Sequence, residues 1–273
     1  MSLPTFAKHF VTGVTADLIR YFIFAGIPFL VLYVIFRSQM FRFKIQQKFP
    51  ENKHIVREIG YSLLSMAIFG VLGVIVFTLA RHGYTEIYTD IHAHSMWYFA
   101  FSIIVFIVAH DTYFYWSHRF MHLKAIYPHV HLIHHKSINP TPWATFAFHP
   151  TEAVMQFAIV PIMVFVMPLH PLAIFAWSMY QLMLNVGGHM GYEFFRSGFT
   201  QRVHSLWSNT ATHHTMHHKH VNCNYGLYFN IWDRIMGTNH VRYHEEFEAT
   251  VARRKAGAGV SSLAAAGISG ERA

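Results

Sequence analysis

The stretch IGYSLLSMAIFGVLGVIVFTLA, Ile59 to Ala80, contains no charged side chain. A helix of that length, rising ~1.5 Å per residue, crosses the roughly 30 Å hydrocarbon core of a bilayer. Two more runs read the same way: Tyr21 to Phe36, with Pro28 as a kink, and Met96 to Ala109, which continues into HDTYFYWSHR and so leads a helix out of the membrane at its C-terminal end. Shorter runs, Val154 to Met167 and Leu172 to Leu184, flank the turn signal PLHP and read as a spanning or re-entrant hairpin. Composition agrees, since 53% of the 273 residues are hydrophobic and 12% are charged, about half the charged share of a soluble domain. The expected fold is all-α: an integral membrane protein with four to five transmembrane or re-entrant helices and a cytosolic helical metal-binding lobe.

The net charge of +8 does not indicate nucleic acid, because the basic residues are scattered and fall mostly in particular loops. Arg37, Arg42, Lys44, Lys48, Lys53 and Arg57 lie between the first two spans, and Arg119, Lys124 and Lys136 follow the third. The positive-inside rule puts both segments in the cytoplasm, whether the membrane is a bacterial inner membrane or the endoplasmic reticulum. The first span is expected to serve as its own targeting signal. The single cysteine, Cys223, excludes an intrachain disulfide and a cysteine-ligated iron–sulfur cluster. Residues 1–250 read as one domain with its motifs in 110–238, and residues 251–273, rich in small residues from Lys255 on, read as a disordered tail.

The 23 histidines are concentrated, most densely in THHTMHHKH, Thr212 to His220. HRFMH places His118 and His122 four apart; HLIHH and HTMHH place His131, His134, His135 and His214, His217, His218 at i, i+3 and i+4. On a helix each set shares a face. Neutral imidazole suits zinc, copper, iron or nickel, and a structural zinc needs only four ligands, so eight convergent histidines imply two metals close together. His189 and His149 are further candidate ligands, and His213 is a candidate partner behind them. Glu152 and Glu193, with Asp111 and Asp233, are the carboxylates available to orient ligating imidazoles. His110 lies too far along its helix to share a metal with His118, and both it and Asp111 read as pocket lining. A carboxylate-bridged di-iron bundle needs two Glu-X-X-His motifs on facing helices, and only Glu51 and His54 have that spacing here.

In this order and between these spans, HRFMH, HLIHH and HTMHH resemble the fatty acid hydroxylase and sterol desaturase superfamily of membrane-bound, non-haem di-iron oxygenases, over about His110 to Thr238. YWSHRFMH, HLIHHKSINPTPWATFAFHPTE, NTATHHTMHH and NYGLYFNIWDRIMGT look most like the C-5 sterol desaturases. The resemblance implies metal ligation by His118, His122, His131, His134, His135, His214, His217 and His218, with His189 as an additional ligand, and sets His149 on a histidine those desaturases share. Phe146 and Leu123 stand where they commonly carry further histidines. The implied cofactors are two iron ions, with O2 as co-substrate, because breaking an unactivated lipid C–H bond needs an oxidant made from O2 and reduced metal.

The metal ligands do not distinguish desaturation of a sterol from hydroxylation of a fatty acyl or other membrane lipid. Tyr113, Phe114, Tyr115 and Trp116 either wall the substrate pocket or form an interfacial aromatic belt. The sequence has no dinucleotide fingerprint and no ligand set for a fused haem or iron–sulfur domain, so electrons are expected from an external reductase with a ferredoxin or cytochrome b5 type carrier. Arg196, Arg202, Lys219 and Arg234 are a candidate docking surface for it. A non-catalytic zinc-binding membrane protein is the distant alternative.

Overall fold

The computed structural model describes residues 1–265, with side chains through residue 256, and among the described residues the regular secondary structure is helical, apart from two isolated bridges. Three helices are long and apolar enough to cross a membrane: Leu3–Ile35, Asn52–Arg81 and Met96–Met121. The hairpin follows as Pro150–Val166 and Pro171–His189. Its turn faces the loop after the second span, where the Glu86 and Tyr88 amides donate to the Val164 and Leu169 carbonyls. The hairpin therefore turns at the end remote from the histidines and returns His189 to their side.

The first span differs from expectation by starting at Leu3 rather than Tyr21. Asp17 and Arg20 break the hydropathy of this stretch, but they lie three apart and pair with each other, so the helix continues through them. π-helical turns at Phe22–Gly26 and Leu30–Ile35 accommodate the segment around Pro28.

The first two spans run antiparallel and meet closely at Gly70. A Cβ there would lie 2.4 Å from Val14 Cγ2 and 3.1 Å from Phe10. Deeper along the pair, Tyr21 and Ser62 both donate to the Trp143 carbonyl at 2.8 Å. That fastens the turn Pro142–Phe146, just after the second histidine motif, to the spans. On the other side of the bundle, Phe106 of the third span stacks on Trp177 of the hairpin at 4.0 Å between ring centroids.

The lobe is closed by the helix Ala211–His220 and the C-terminal helix Tyr243–Ala265. The expected disordered tail needs correction at its start: Val251 is buried with Tyr243, Phe247 and Met216, and this contact holds the helix in place beyond residue 250. The rest of the tail reading, for side chains after 256 and for residues 266–273, lies outside the described residues.

Overpacking a tight helix crossing costs about 1–3 kcal/mol. Gly70→Ala is therefore expected to lower the thermal midpoint of the detergent-solubilised protein, and Val14→Ala in the same chain to restore it. An unchanged midpoint for Gly70→Ala alone would refute the close crossing.

Candidate metal centre

Nine buried imidazoles gather in the lobe and divide into two groups: His118, His122, His131, His135 and His217 in one, His134, His189, His214 and His218 in the other. Within each group the potential ligand atoms all lie within 4.8 Å of one another. The division follows helix geometry. Each residue advances the side chain by about 100°, so residues four apart nearly align whereas adjacent ones diverge. His131 and His135 therefore join one group while His134 joins the other, and His214 and His218 join the second while His217 crosses to the first. The expectation that each triple serves a single face is thus revised: each triple contributes to both groups, in opposite proportions, while His118 and His122 both join the first.

Backbone carbonyls fix several rings. Nδ1 of His118 donates to the Tyr225 carbonyl at 2.8 Å, that of His189 to Asn185 at 2.8 Å, and that of His217 to Cys223 at 2.7 Å. A neutral imidazole that donates from Nδ1 carries its lone pair on Nε2. Those Nε2 atoms converge: His118 and His131 approach to 3.0 Å, His118 and His122 to 3.3 Å, His189 and His214 to 3.0 Å, and His214 and His218 to 3.1 Å. The Nε2 atoms of His135 and His217 are buried without a protein partner. Lone pairs aimed at a common point repel unless a cation lies between them, so the donor set fits a metal ion in each group. Burial and neighbouring imidazoles hold His131, His134, His135, His214, His217 and His218 well below the usual histidine pKa, which keeps them neutral and able to ligate.

The other candidates take different places. Glu152 lies behind the first group, with Oε1 2.8 Å from His131 Nδ1 and the carboxylate fully buried. Glu193 touches no ligand histidine. Its Oε2 accepts from the Thr212 amide and hydroxyl and its Oε1 from the Phe195 amide, so it caps the start of the histidine helix. His213 stays outside both groups, with Nε2 3.2 Å from Asp233 Oδ2. Asp233 also accepts from the Tyr225 and Gly226 amides, which places the Tyr225 carbonyl under His118. Burial raises the Asp233 pKa, but the bonds from His213, Thr238 and Gly226 outweigh it and leave the carboxyl at about 2. His149 caps the first hairpin arm through Thr151 and is outside both groups.

A cavity of about 590 Å³ rises from this centre between the first three helices and the hairpin. Three of its lining residues touch the metal groups: Phe114 packs on His118 at 4.9 Å and Phe148 on His134 at 5.3 Å, while Asn185 holds His189 through its carbonyl. His110 and Phe146 line it as well. Asp111 does not. Its carboxylate accepts from the Tyr228 and Phe229 amides, and His110 Nδ1 meets the Tyr228 hydroxyl at 2.7 Å, so this dipeptide pins the loop 228–229 to the third span. Of the four aromatics after it, only Phe114 lines the cavity; Tyr113 donates to the Met155 carbonyl, Tyr115 bonds Thr238, and Trp116 is exposed.

Sequence reasoning missed the carbonyls of Asn185, Cys223 and Tyr225, because a backbone acceptor leaves no residue-type signature. Asp17, Arg20 and Ser178 on the cavity wall were missed as well. The charged pair inside an otherwise apolar stretch was the available signal.

The fatty acid hydroxylase family model matches residues 103–238. A Delta(7)-sterol 5(6)-desaturase of Gibberella zeae is 30% identical over 88% of this chain and 68% of its own length. The lathosterol oxidase of Rattus norvegicus is 33% identical over 70% of this chain and 62% of its own. A Delta(7)-sterol 5(6)-desaturase of Schizosaccharomyces pombe is 29% identical over 75% and 67%. The chain thus spans about two thirds of the length of these relatives. No solved structure matches it.

Removing a partner that orients a ligand typically costs 10–100-fold in metal affinity. Glu152→Gln is therefore expected to lower metal retention in the group containing His131 and spare the other, so purified protein should lose about half its metal on mild chelation. Full retention, measured by elemental mass spectrometry, would remove Glu152 from the site.

Proposed function

Because the chain belongs to the fatty acid hydroxylase family, we propose that it is a membrane-bound di-iron oxidoreductase that uses O2 to desaturate a lipid, a sterol of the kind named for its relatives. The observation that carries this reading is the direct contact between the cavity wall and both histidine groups through Phe114, Phe148 and Asn185. Such a cavity suits the greasy body of a lipid and brings part of it beside the metal centre.

One iron would be held by His118, His122, His131, His135 and His217, the other by His134, His189, His214 and His218. When bound, the iron pair supplies the reduction of O2 from which an oxidant strong enough for an unactivated C–H bond arises. The protein's contribution is positional. Carbonyls of Tyr225, Asn185 and Cys223 retain the Nδ1 protons, so the Nε2 lone pairs stay free and aimed inward. Phe114 and Phe148 screen His118 and His134 from the cavity, excluding bulk water from the lipid side. Phe146, which lines the cavity where the C-5 sterol desaturases commonly carry histidine, favours a second reading: hydroxylation of another lipid, such as a fatty acyl chain, at the same centre.

Electrons would come from an external reductase with a ferredoxin or cytochrome b5 type carrier. The basic loops support a cytoplasmic position for the lobe, in a bacterial inner membrane or the endoplasmic reticulum. Arg196, Arg202 and Lys219 are exposed and available to an acidic carrier, whereas Arg234 is engaged by the Thr200 carbonyl, Ser205 and Asn230. Neutralising the three that are not so engaged is expected to raise the apparent KM for carrier severalfold with little change in kcat. An unchanged KM would exclude this docking face.

The reading is tested by mass spectrometry of total lipids and added sterols from cells expressing the chain, with a reductase system, beside His217→Ala/His218→Ala. A species lacking two hydrogens, absent from the variant, is the expected result. A species gaining one oxygen would establish the hydroxylase reading. Bound zinc with no lipid change in iron-loaded protein would overturn both.

A further inference from the structure

The upper wall of the cavity contains a polar trio that the metal chemistry does not use. Arg20, in the interior of the first span, donates from one terminal nitrogen to Ser178 Oγ at 2.8 Å, and its other terminal nitrogen pairs with Asp17. All three residues line the cavity, and Arg20 Nε has no protein partner. A charged pair inside a membrane is expensive and marks a functional position by default. Tying the first span to the hairpin would need no more than two hydroxyls. A guanidinium and a carboxylate facing a void instead offer unused donor and acceptor capacity to an occupant.

We propose that Asp17, Arg20 and Ser178 recognise a hydroxyl group on the bound lipid, at the end of the cavity remote from the histidines. An unpaired arginine would select a carboxylate or phosphate. Here Asp17 offsets the positive charge and presents like charge to an incoming anion, which disfavours anionic lipids. A hydroxyl suits both partners, accepting from Arg20 and donating to the Asp17 carboxylate.

A lipid without that hydroxyl leaves the remaining donor capacity of Arg20, including Nε, and the free lone pairs of Asp17 unused. Ser178 and Asn185 lie on the same helix, about 10 Å apart along its axis, and His189 lies about 16 Å from Ser178. The hydroxyl of a lipid laid along the cavity therefore sits some 10–16 Å from the carbon nearest the histidines, a spacing that fits a chain-like lipid rather than the 3-hydroxyl of a sterol oxidised at C5 and C6, and so favours the hydroxylation reading. The inference rests on the cavity being the lipid site of the proposed reaction, but it is tested by binding, without turnover.

The probe is hexadecanol bearing a mid-chain diazirine, photolysed with the metal-loaded full chain in nanodiscs, with labelling of the peptide containing Ser178 as the readout. Unlabelled hexadecanol is expected to suppress labelling at about tenfold lower concentration than hexadecane or hexadecanoate. Ser178→Ala, which changes no charge, removes the acceptor that holds the Arg20 guanidinium in place and should reduce the alcohol's advantage about fivefold, the effect of weakening one hydrogen bond. Asp17→Asn should make hexadecanoate the best competitor, by freeing the guanidinium. Equal competition by hexadecane and hexadecanol in the wild-type chain would overturn the proposal. So would an undiminished tenfold advantage of the alcohol in Ser178→Ala, which decides the matter even if Asp17→Asn fails to accumulate; the trio would then be a packing tie. Neither result depends on whether the chain desaturates or hydroxylates.

Discussion

The structure depends on keeping nine buried imidazoles neutral with their Nε2 lone pairs pointed inward. Desolvation disfavours the imidazolium form, and each ring would repel its neighbours if charged. Neutrality alone would leave the tautomer free. The carbonyls of Tyr225, Asn185 and Cys223 remove that freedom by engaging Nδ1 on one ring each, and Glu152 lies against a fourth ring. Much of the lobe then reads as support for these acceptors. Asp233 holds the Tyr225 loop and Glu193 caps the helix that carries His214, His217 and His218. A left-handed Val221 ends that helix, at φ 67°, just before Cys223 turns its carbonyl under His217.

The two histidine groups are interlocked because of the 100° step between adjacent helical residues. A segment reading His-X-X-His-His puts its first and last rings on one side and its middle ring about a third of a turn away. Two such segments facing each other then build two centres side by side, each drawing on both. Neither group can be displaced without moving the other. The hairpin adds His189 to the second group from a different direction.

Above the centre, the spans and the hairpin do not close on themselves but leave a cavity whose floor is one side chain thick over the histidines. The Tyr21, Ser62 and Trp143 bonds hold the turn next to the second histidine motif against the bundle. The same helices that would cross the bilayer thus set the distance between its interior and the metal centre. Arg20 and Asp17 give the otherwise apolar cavity wall a polar position far from that centre.

The sequence by itself determined the class of structure and which side chains stand as candidate ligands. Apolar runs at bilayer length dictate spanning helices, and imidazoles at i, i+3 and i+4 are brought together by any helix that carries them, since both properties are local. The tertiary structure decided which imidazoles gather into each group and that Glu193 and Asp111 serve backbone amides rather than histidines or the cavity. It decided as well that the first span runs through its own ion pair, so that Asp17 and Arg20 meet Ser178 across the bundle. These outcomes depend on contacts between segments far apart in the chain and on backbone acceptors, and neither is written in the spacing of side chains along one helix.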